Sequence, residues 1–349
     1  PGGLVPAEGG REAAAPDRVS PGTLRWGILG PGRIAPRLVR GIAATPRCTL
    51  VAVAGRDLAR ARAFADRHGI PDAYGSYDEL LESDVDVVYV ALPNHLHAPW
   101  TIRALRAGKH VLCEKPLALS VDEVDAIAEA ADASGRIAVE AFMYLHHPQI
   151  ERALEIVAAG ELGRLELVHA SFSFFLTYPG DPRLEPEMGG GSLWDVGCYA
   201  VSVTRRISGE EPDGHAAFAR FDERAVDRTF IGQLRFPSGL LAQVDSGFAS
   251  ADRQRVEIVG GEGTLVLDAP FLNGPDGPAP GMTLTRGDEA TRIEVPSIDQ
   301  YAAEVADLAA AILDGRRPRV DLGFSRGTIA ALVELDRLAR ANAGLPRRY

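Results

Sequence analysis

The chain has 349 residues, 46% of them apolar, with 37 basic against 48 acidic side chains and a formal charge of −11. That length suits about two domains with a sizeable core, and the acidic balance offers no basic surface for nucleic-acid phosphates to follow. No apolar run reaches the roughly 18 residues of a membrane span, and the N-terminal stretch lacks the charged and apolar regions of a secretory signal. The expectation is a cytoplasmic protein with neither membrane nor nucleic acid as partner. Cys48, Cys113 and Cys198 are too few and too scattered for a disulfide framework or a zinc site, and the eight histidines show no metal-ligand spacing, so no metal is expected.

Residues 1–22 are rich in Ala, Gly, Pro and charge without periodicity, the composition of a disordered tail. From 23 to 143, apolar runs alternate with helical periodicity. Strands are expected at 23–29, 50–54, 85–92, 110–113 and 137–141. A helix carries Ile34, Leu38 and Ile42, and others follow near 57–68, 99–107 and 121–133, closed by Gly69, Gly108 and Gly135. Such alternation builds a parallel sheet covered on both faces. After Pro148 one helix runs to Gly160, and extended stretches follow at 165–175, 216–221, 229–236, 240–247, 255–259 and 264–267. Turn signals such as Pro237-Ser238-Gly239 and Gly260-Gly261-Glu262-Gly263 join them. Helices near 301–313 and 325–341 end the chain. The expected fold class is α/β: a doubly wound parallel sheet over 23–143, then an α+β domain over 144–349 with a large, mostly antiparallel open sheet.

The first strand and helix are joined by Gly27-Ile28-Leu29-Gly30-Pro31-Gly32-Arg33-Ile34-Ala35. Inside a βαβ unit this is the turn of a Rossmann dinucleotide site. Gly30 permits the tight bend, Gly32 lets backbone N–H groups approach a pyrophosphate, and Ala35 allows close helix–strand packing. Gly30, Gly32, Arg33 and Ile34 are therefore candidate cofactor contacts, the alternative being a glycine turn without a ligand. After the second strand, Gly55-Arg56 stands where an NAD site usually has an acid for the ribose diol. A guanidinium beside a residue without a side chain leaves room and charge for a 2′-phosphate. This favours NADP, with NAD as the alternative; Asp57 can serve as that ribose acid or as the cap of the next helix.

Three further segments extend the pattern: Leu92-Pro93-Asn94-His95-Leu96-His97, the stretch from Ala107 to Glu114-Lys115-Pro116, and Gly189-Gly190-Gly191-Ser192-Leu193-Trp194-Asp195-Val196-Gly197-Cys198-Tyr199. With the Gly30 turn they make the chain resemble the Gfo/Idh/MocA family of glucose-fructose oxidoreductase and inositol dehydrogenase relatives, over nearly everything after the tail. Glu140-Ala141-Phe142-Met143-Tyr144, with His147-Pro148-Gln149, is most similar to the dihydrodiol dehydrogenase and NADP-linked D-xylose dehydrogenase branch. The resemblance implies an NAD(P)-dependent oxidoreductase moving hydride between nicotinamide and a sugar or polyol-like alcohol, in the manner of an aldose 1-dehydrogenase. It also implies a homodimer or homotetramer assembled through the C-terminal sheet.

Lys115 falls just past the carboxyl end of a parallel strand, where doubly wound sheets bind ligands, and burial is expected to lower its pKa. The resemblance implies that Lys115 polarises the substrate oxygen, that its bond to Pro116 is cis, and that Tyr199 transfers the proton where relatives carry His or Tyr. Asp195 and Tyr199, four apart on the helix after the triple glycine, share a face. Asp195 can orient Lys115 and a substrate hydroxyl, or close a Ser192-x-x-Asp195 capping box; Tyr199 can equally be a core aromatic. By the resemblance Pro93, Asn94 and His97 lie beside the nicotinamide ribose; otherwise Asn94 and His97 are turn or capping residues. Glu114 orients neighbours or touches cofactor. Arg183 stands at the substrate mouth or is an ordinary loop arginine, and Tyr144 lines the pocket or belongs to the interdomain core. Two other functions remain open: a ketoreductase of a nucleotide-activated or antibiotic sugar, and a non-catalytic NADP-binding redox sensor.

Overall fold

The computed structural model describes residues 22–178, 180–274 and 277–348; apart from Gly22, the expected tail lies outside them. The elements run β1 (Leu24–Leu29), α1 (Ala35–Ala44), β2 (Cys48–Ala54), α2 (Leu58–His68), β3 (Asp72–Tyr74), α3 (Tyr77–Glu82), β4 (Val87–Val90), α4 (His97–Arg106), β5 (His110–Glu114), α5 (Val121–Ser134) and β6 (Ala138–Ala141). Then come α6 (Pro148–Ala158), β7 (Leu165–Phe175), α7 (Cys198–Ser208), β8 (Gly214–Phe221), β9 (Asp227–Arg235), β10 (Leu241–Gly247), β11 (Ala249–Gly260), β12 (Thr264–Asp268), β13 (Gly281–Arg286), β14 (Glu289–Glu294), α8 (Gln300–Asp314) and α9 (Leu322–Asn342).

The first six strands form a parallel sheet in the order β3-β2-β1-β4-β5-β6. All four residues of β4 are buried, as a strand covered on both faces requires. Trp26, Ile28, Val53 and Tyr89 pack on one face with Leu38 of α1 and Ala65 of α2. Leu29, Val88, Val90 and Val111 pack on the other with Leu105 of α4 and Ile127 of α5. Local chemistry ends the helices where expected: Asp57 and Ser120 cap α2 and α5, and Gly69 and Gly135 close them in the left-handed conformation.

The second sheet has eight strands in the order β14-β13-β12-β11-β7-β10-β9-β8. It is antiparallel throughout except for β7 beside β10. Its strands alternate, burying Val168, Ala170 and Phe172 on one side of β7, and Phe230 and Leu234 on one side of β9. The chain then returns to the first sheet: Val305, Leu308 and Ala309 of α8 share an apolar cluster with Trp26 and Ile28. Arg326 of α9 pairs with Asp125 of α5. Among the described residues no helix is long and apolar enough to cross a membrane.

Candidate active site

The bend after β1 is made at Gly30, with φ +94°, where a Cβ would stand 2.7 Å from the Ala91 carbonyl oxygen. Only glycine accepts both the backbone angle and the contact. At Gly32 the nearest obstacle is the same oxygen at 3.7 Å, so the turn keeps an open cradle. Beyond it, α1 has no side-chain cap and no acid in its first turn. Its N–H groups and positive dipole end therefore meet no carboxylate from the helix itself. Arg56 is exposed at the end of β2, and the Asp57 carboxylate accepts the Arg60 N–H at 3.1 Å, which assigns it to capping α2. An open glycine cradle beside an uncapped helix and an exposed arginine fits a dinucleotide carrying a 2′-phosphate.

Lys115 follows β5 directly, and its peptide bond to Pro116 is cis. Its Nζ donates to the Asp195 carbonyl oxygen at 2.7 Å and to Asp195 Oδ1 at 2.9 Å. Both side chains are largely buried, at 13% exposed. Burial is the largest single influence and works against the ammonium, but the charges of Asp195, Cys198 and Glu114 with the Asp195 hydrogen bond together hold the amine above its ordinary pKa. The expected lowering is thus reversed, because Asp195, Glu114 and Cys198 together favour the ammonium by more than burial disfavours it. Asp195 is not a helix cap. Leu193–Gly197 forms a wide π-type turn ahead of α7, with no capping bond from Ser192; the carboxylate points at Lys115 and, from Oδ2, at Arg183 Nη1 3.5 Å away. Such single wide turns recur at functional sites because they re-aim a residue within a helix.

Tyr199 is placed differently from the expectation. Its hydroxyl donates to the Met143 sulfur at 3.6 Å, and Lys115 lies over the ring face, 5.2 Å from its centre. Burial pushes the phenol well above its ordinary pKa, so it rests neutral among Phe142, Phe172 and Phe271. Tyr144 is fully buried with its hydroxyl 2.7 Å from Ser202 Oγ, a core position and not a pocket wall. His97 is also buried, and its ring nitrogens lie 2.7 Å from the Pro116 and Leu92 carbonyl oxygens. Burial brings its pKa down to about 4 against the pull of these two acceptors, and the neutral ring donates to one of them. It therefore ties the ends of β4 and β5 together. Pro93 starts the 3-10 turn Asn94–Leu96, within which Asn94 donates to the Gly189 carbonyl at 3.0 Å. Glu114 accepts from the Tyr89 hydroxyl.

Two residues had no signal in the sequence. Asp181, 2% exposed, binds Arg183 and reaches Arg33 of the glycine turn; an aspartate before proline reads only as a turn residue. Asp227, at the start of β9, accepts from Ser192 Oγ and the Leu193 N–H. It fills the space beside Gly191, where a Cβ would stand 2.1 Å from its Oδ1, and so seats the triple glycine beneath Asp195.

Comparison with known proteins agrees with this geometry. The Gfo/Idh/MocA oxidoreductase family, described by its NAD-binding Rossmann fold, matches residues 24–142, and the family's C-terminal domain matches 150–266. D-xylose 1-dehydrogenase (NADP(+)) 2 of Haloferax volcanii is 40% identical over 300 residues, 85% of this chain and 92% of that protein. The aldose-aldose oxidoreductase of Caulobacter crescentus, solved with glycerol, superposes with a TM-score of 0.85 at 30% identity, covering 92% of this chain and 98% of that one. KijD10, a 3-ketoreductase of Actinomadura kijaniata solved with NADP and TDP-benzene, gives 0.84 at 32% identity, covering 90% and 97%. Glycine cradle, lysine at the strand end and open second sheet thus occur together for one reason: the chain belongs to the Gfo/Idh/MocA family and is an NAD(P)-dependent oxidoreductase.

Proposed function

We propose that the chain catalyses reversible hydride transfer between a sugar or polyol-like alcohol and NADP, with Lys115 as the group that acts on the reacting oxygen. Bound cofactor supplies or accepts the hydride at its nicotinamide ring. One observation carries the assignment: an ammonium has three N–H donors, and Asp195 engages two of them, which leaves the third for an incoming oxygen at the strand end. In the reducing direction Lys115 gives its proton to the oxygen as the carbon gains hydride, and the oxidising direction reverses this. Asp195 fixes the amine, Arg183 steadies Asp195, and Tyr199 forms the aromatic floor under the ammonium. Only two of the 37 basic residues are lysine, Lys109 and Lys115; a titratable amine stands at this point in a chain that otherwise uses arginine.

Arg56 is the proposed 2′-phosphate contact, with the Gly30 turn holding the diphosphate. The relatives acting on D-xylose and on aldoses support an aldose as substrate. A second reading, reduction of a nucleotide-activated keto sugar, is supported by KijD10, the 3-ketoreductase solved with NADP and TDP-benzene. For assembly, the outer face of the second sheet carries exposed Phe218, Ile231, Leu241 and Leu167. Phe218 is paired with Ile231, and Leu241 with Leu167, across adjacent strands; such a patch supports a homodimer or homotetramer through this sheet. The test is turnover of NADP(H) with a panel of aldoses and keto sugars. Lys115→Met should abolish turnover, by 10³-fold or more on the usual scale for losing an oxyanion donor and general acid together, about 4 kcal/mol, while NADPH still binds. Tyr199→Phe should lose far less. Parent-level turnover in Lys115→Met would overturn the assignment.

A further inference from the structure

The Asp181 carboxylate has more partners than its loop position would suggest. Oδ1 accepts the Arg183 backbone N–H at 3.0 Å and Arg183 Nε at 2.9 Å. Oδ2 accepts Arg183 Nη2 at 2.8 Å and Arg33 Nη2 at 2.9 Å. A carboxylate offers about four acceptor sites, and all four are taken, so Asp181 has no capacity left for substrate or for proton transfer. Its two cations come from opposite ends of the site. Arg33 belongs to the glycine turn, 148 residues earlier in the chain, and its guanidinium also lies over the Tyr178 ring at 4.9 Å. Arg183 continues inward, reaching Asp195 Oδ2 at 3.5 Å, whose other oxygen holds Lys115.

The ion pairs thus form one line: Arg33, Asp181, Arg183, Asp195, Lys115. A carboxylate only 2% exposed is costly unless fully paired, so neither arginine can leave without the other partner's geometry changing. Burial raises the Asp181 pKa, but its bonds to Arg183 and the charges of Arg183 and Arg33 outweigh that and hold it below its ordinary value. It stays charged across the working pH range.

We propose that Asp181 is a positioning residue that ties the cofactor turn to the reactive lysine, so that one buried carboxylate sets both the grip on the dinucleotide and the placement of the Lys115 ammonium. This rests on the reading of Lys115 given above, and the experiment separates the two. NADPH affinity is measured by fluorescence without substrate for the parent, Asp181→Asn, Arg33→Gln and the double variant. Rates follow at saturating NADPH across pH, on whichever carbonyl substrate the parent reduces.

Asp181→Asn keeps the side chain's shape and removes its charge. It should weaken NADPH binding at least fivefold, lower kcat at least tenfold, and move the alkaline limb to lower pH as Arg183 competes with Lys115 for Asp195. Arg33→Gln should lower kcat even at saturating NADPH, which loss of a cofactor contact alone would not do. The double variant should bind NADPH no worse than the weaker single variant, because both break the same link. Asp181→Glu, which keeps the charge, should recover most of kcat. Independent, multiplying losses in the double variant, or a parent-like kcat and pH profile in Asp181→Asn, would overturn the proposal. A parent that binds NADPH but reduces no carbonyl would instead count against the substrate reading, leaving the binding comparison to judge Asp181.

Discussion

Replacing Asp195 by Asn removes the charge opposite Lys115 and leaves the lysine placed, because the Asp195 backbone carbonyl still accepts Nζ at 2.7 Å. At 2.9 Å and an effective dielectric of about 20, the Coulomb attraction is about 6 kcal/mol. Each side chain is 13% exposed, and with that solvent screening roughly half of the attraction survives, about 3 kcal/mol. At 1.36 kcal/mol per pH unit this lowers the amine's pKa by about two. Burial, the largest single influence on Lys115, pulls in the same direction. A proton donor is lost as pH rises through its pKa. Carbonyl reduction by the parent should therefore stay flat to high pH, whereas Asp195→Asn should show an alkaline limb displaced downward by about two pH units. The assay is NADPH oxidation at saturating carbonyl substrate and cofactor, from pH 6 upward. If Asp195→Asn keeps the parent's high-pH arm, Lys115 is not the proton donor, or Asp195 does not hold its proton.

Arg56→Ala should raise the KM for NADPH by about tenfold, the lower end for a charge-assisted bond because the side chain is exposed, and leave the KM for NADH nearly unchanged; equal losses with both cofactors would remove Arg56 from the 2′-phosphate. Glu140 is buried with its Oε1 accepting the Leu117 N–H, and burial raises its pKa from 4.5 to about 7. Its folded pKa exceeds the unfolded one, so its contribution is fully present below about pH 4.5 and is lost as pH rises toward 7, about 3 kcal/mol in all. Glu140→Gln keeps the acceptor, and its urea midpoint should gain on the parent's across that window; a constant difference between the two would contradict this.

The first sheet was legible because its strands are continuous apolar runs and its helices carry their own start signals, at Asp57 and Ser120, and stop signals, at Gly69 and Gly135. The hairpin of β13 and β14 was not, since β14 is almost wholly exposed and presents no alternation to read. The two-residue-offset patterns of β7, β9 and β10 were visible, but that β7 would take the sheet's centre beside a parallel β10 was not. Periodicity records which face of an element is apolar and is silent on its neighbour.

The site divides in the same way. Gly30 and Lys115 were readable because each is forced by the segment around it: one by a bend that needs positive φ, the other by the end of a parallel strand. The roles of His97, Tyr144 and Tyr199 were decided by partners 5 to 58 positions away, Leu92, Pro116, Ser202 and Met143. Asp181 became a partner of Arg33 only when a loop of the second domain folded over the glycine turn. Local sequence specifies backbone conformation and the chemistry a side chain can offer. Whether a phenol faces a lysine or a sulfur, and whether an amine gains or loses affinity for its proton, depends on charges and burial contributed by distant segments.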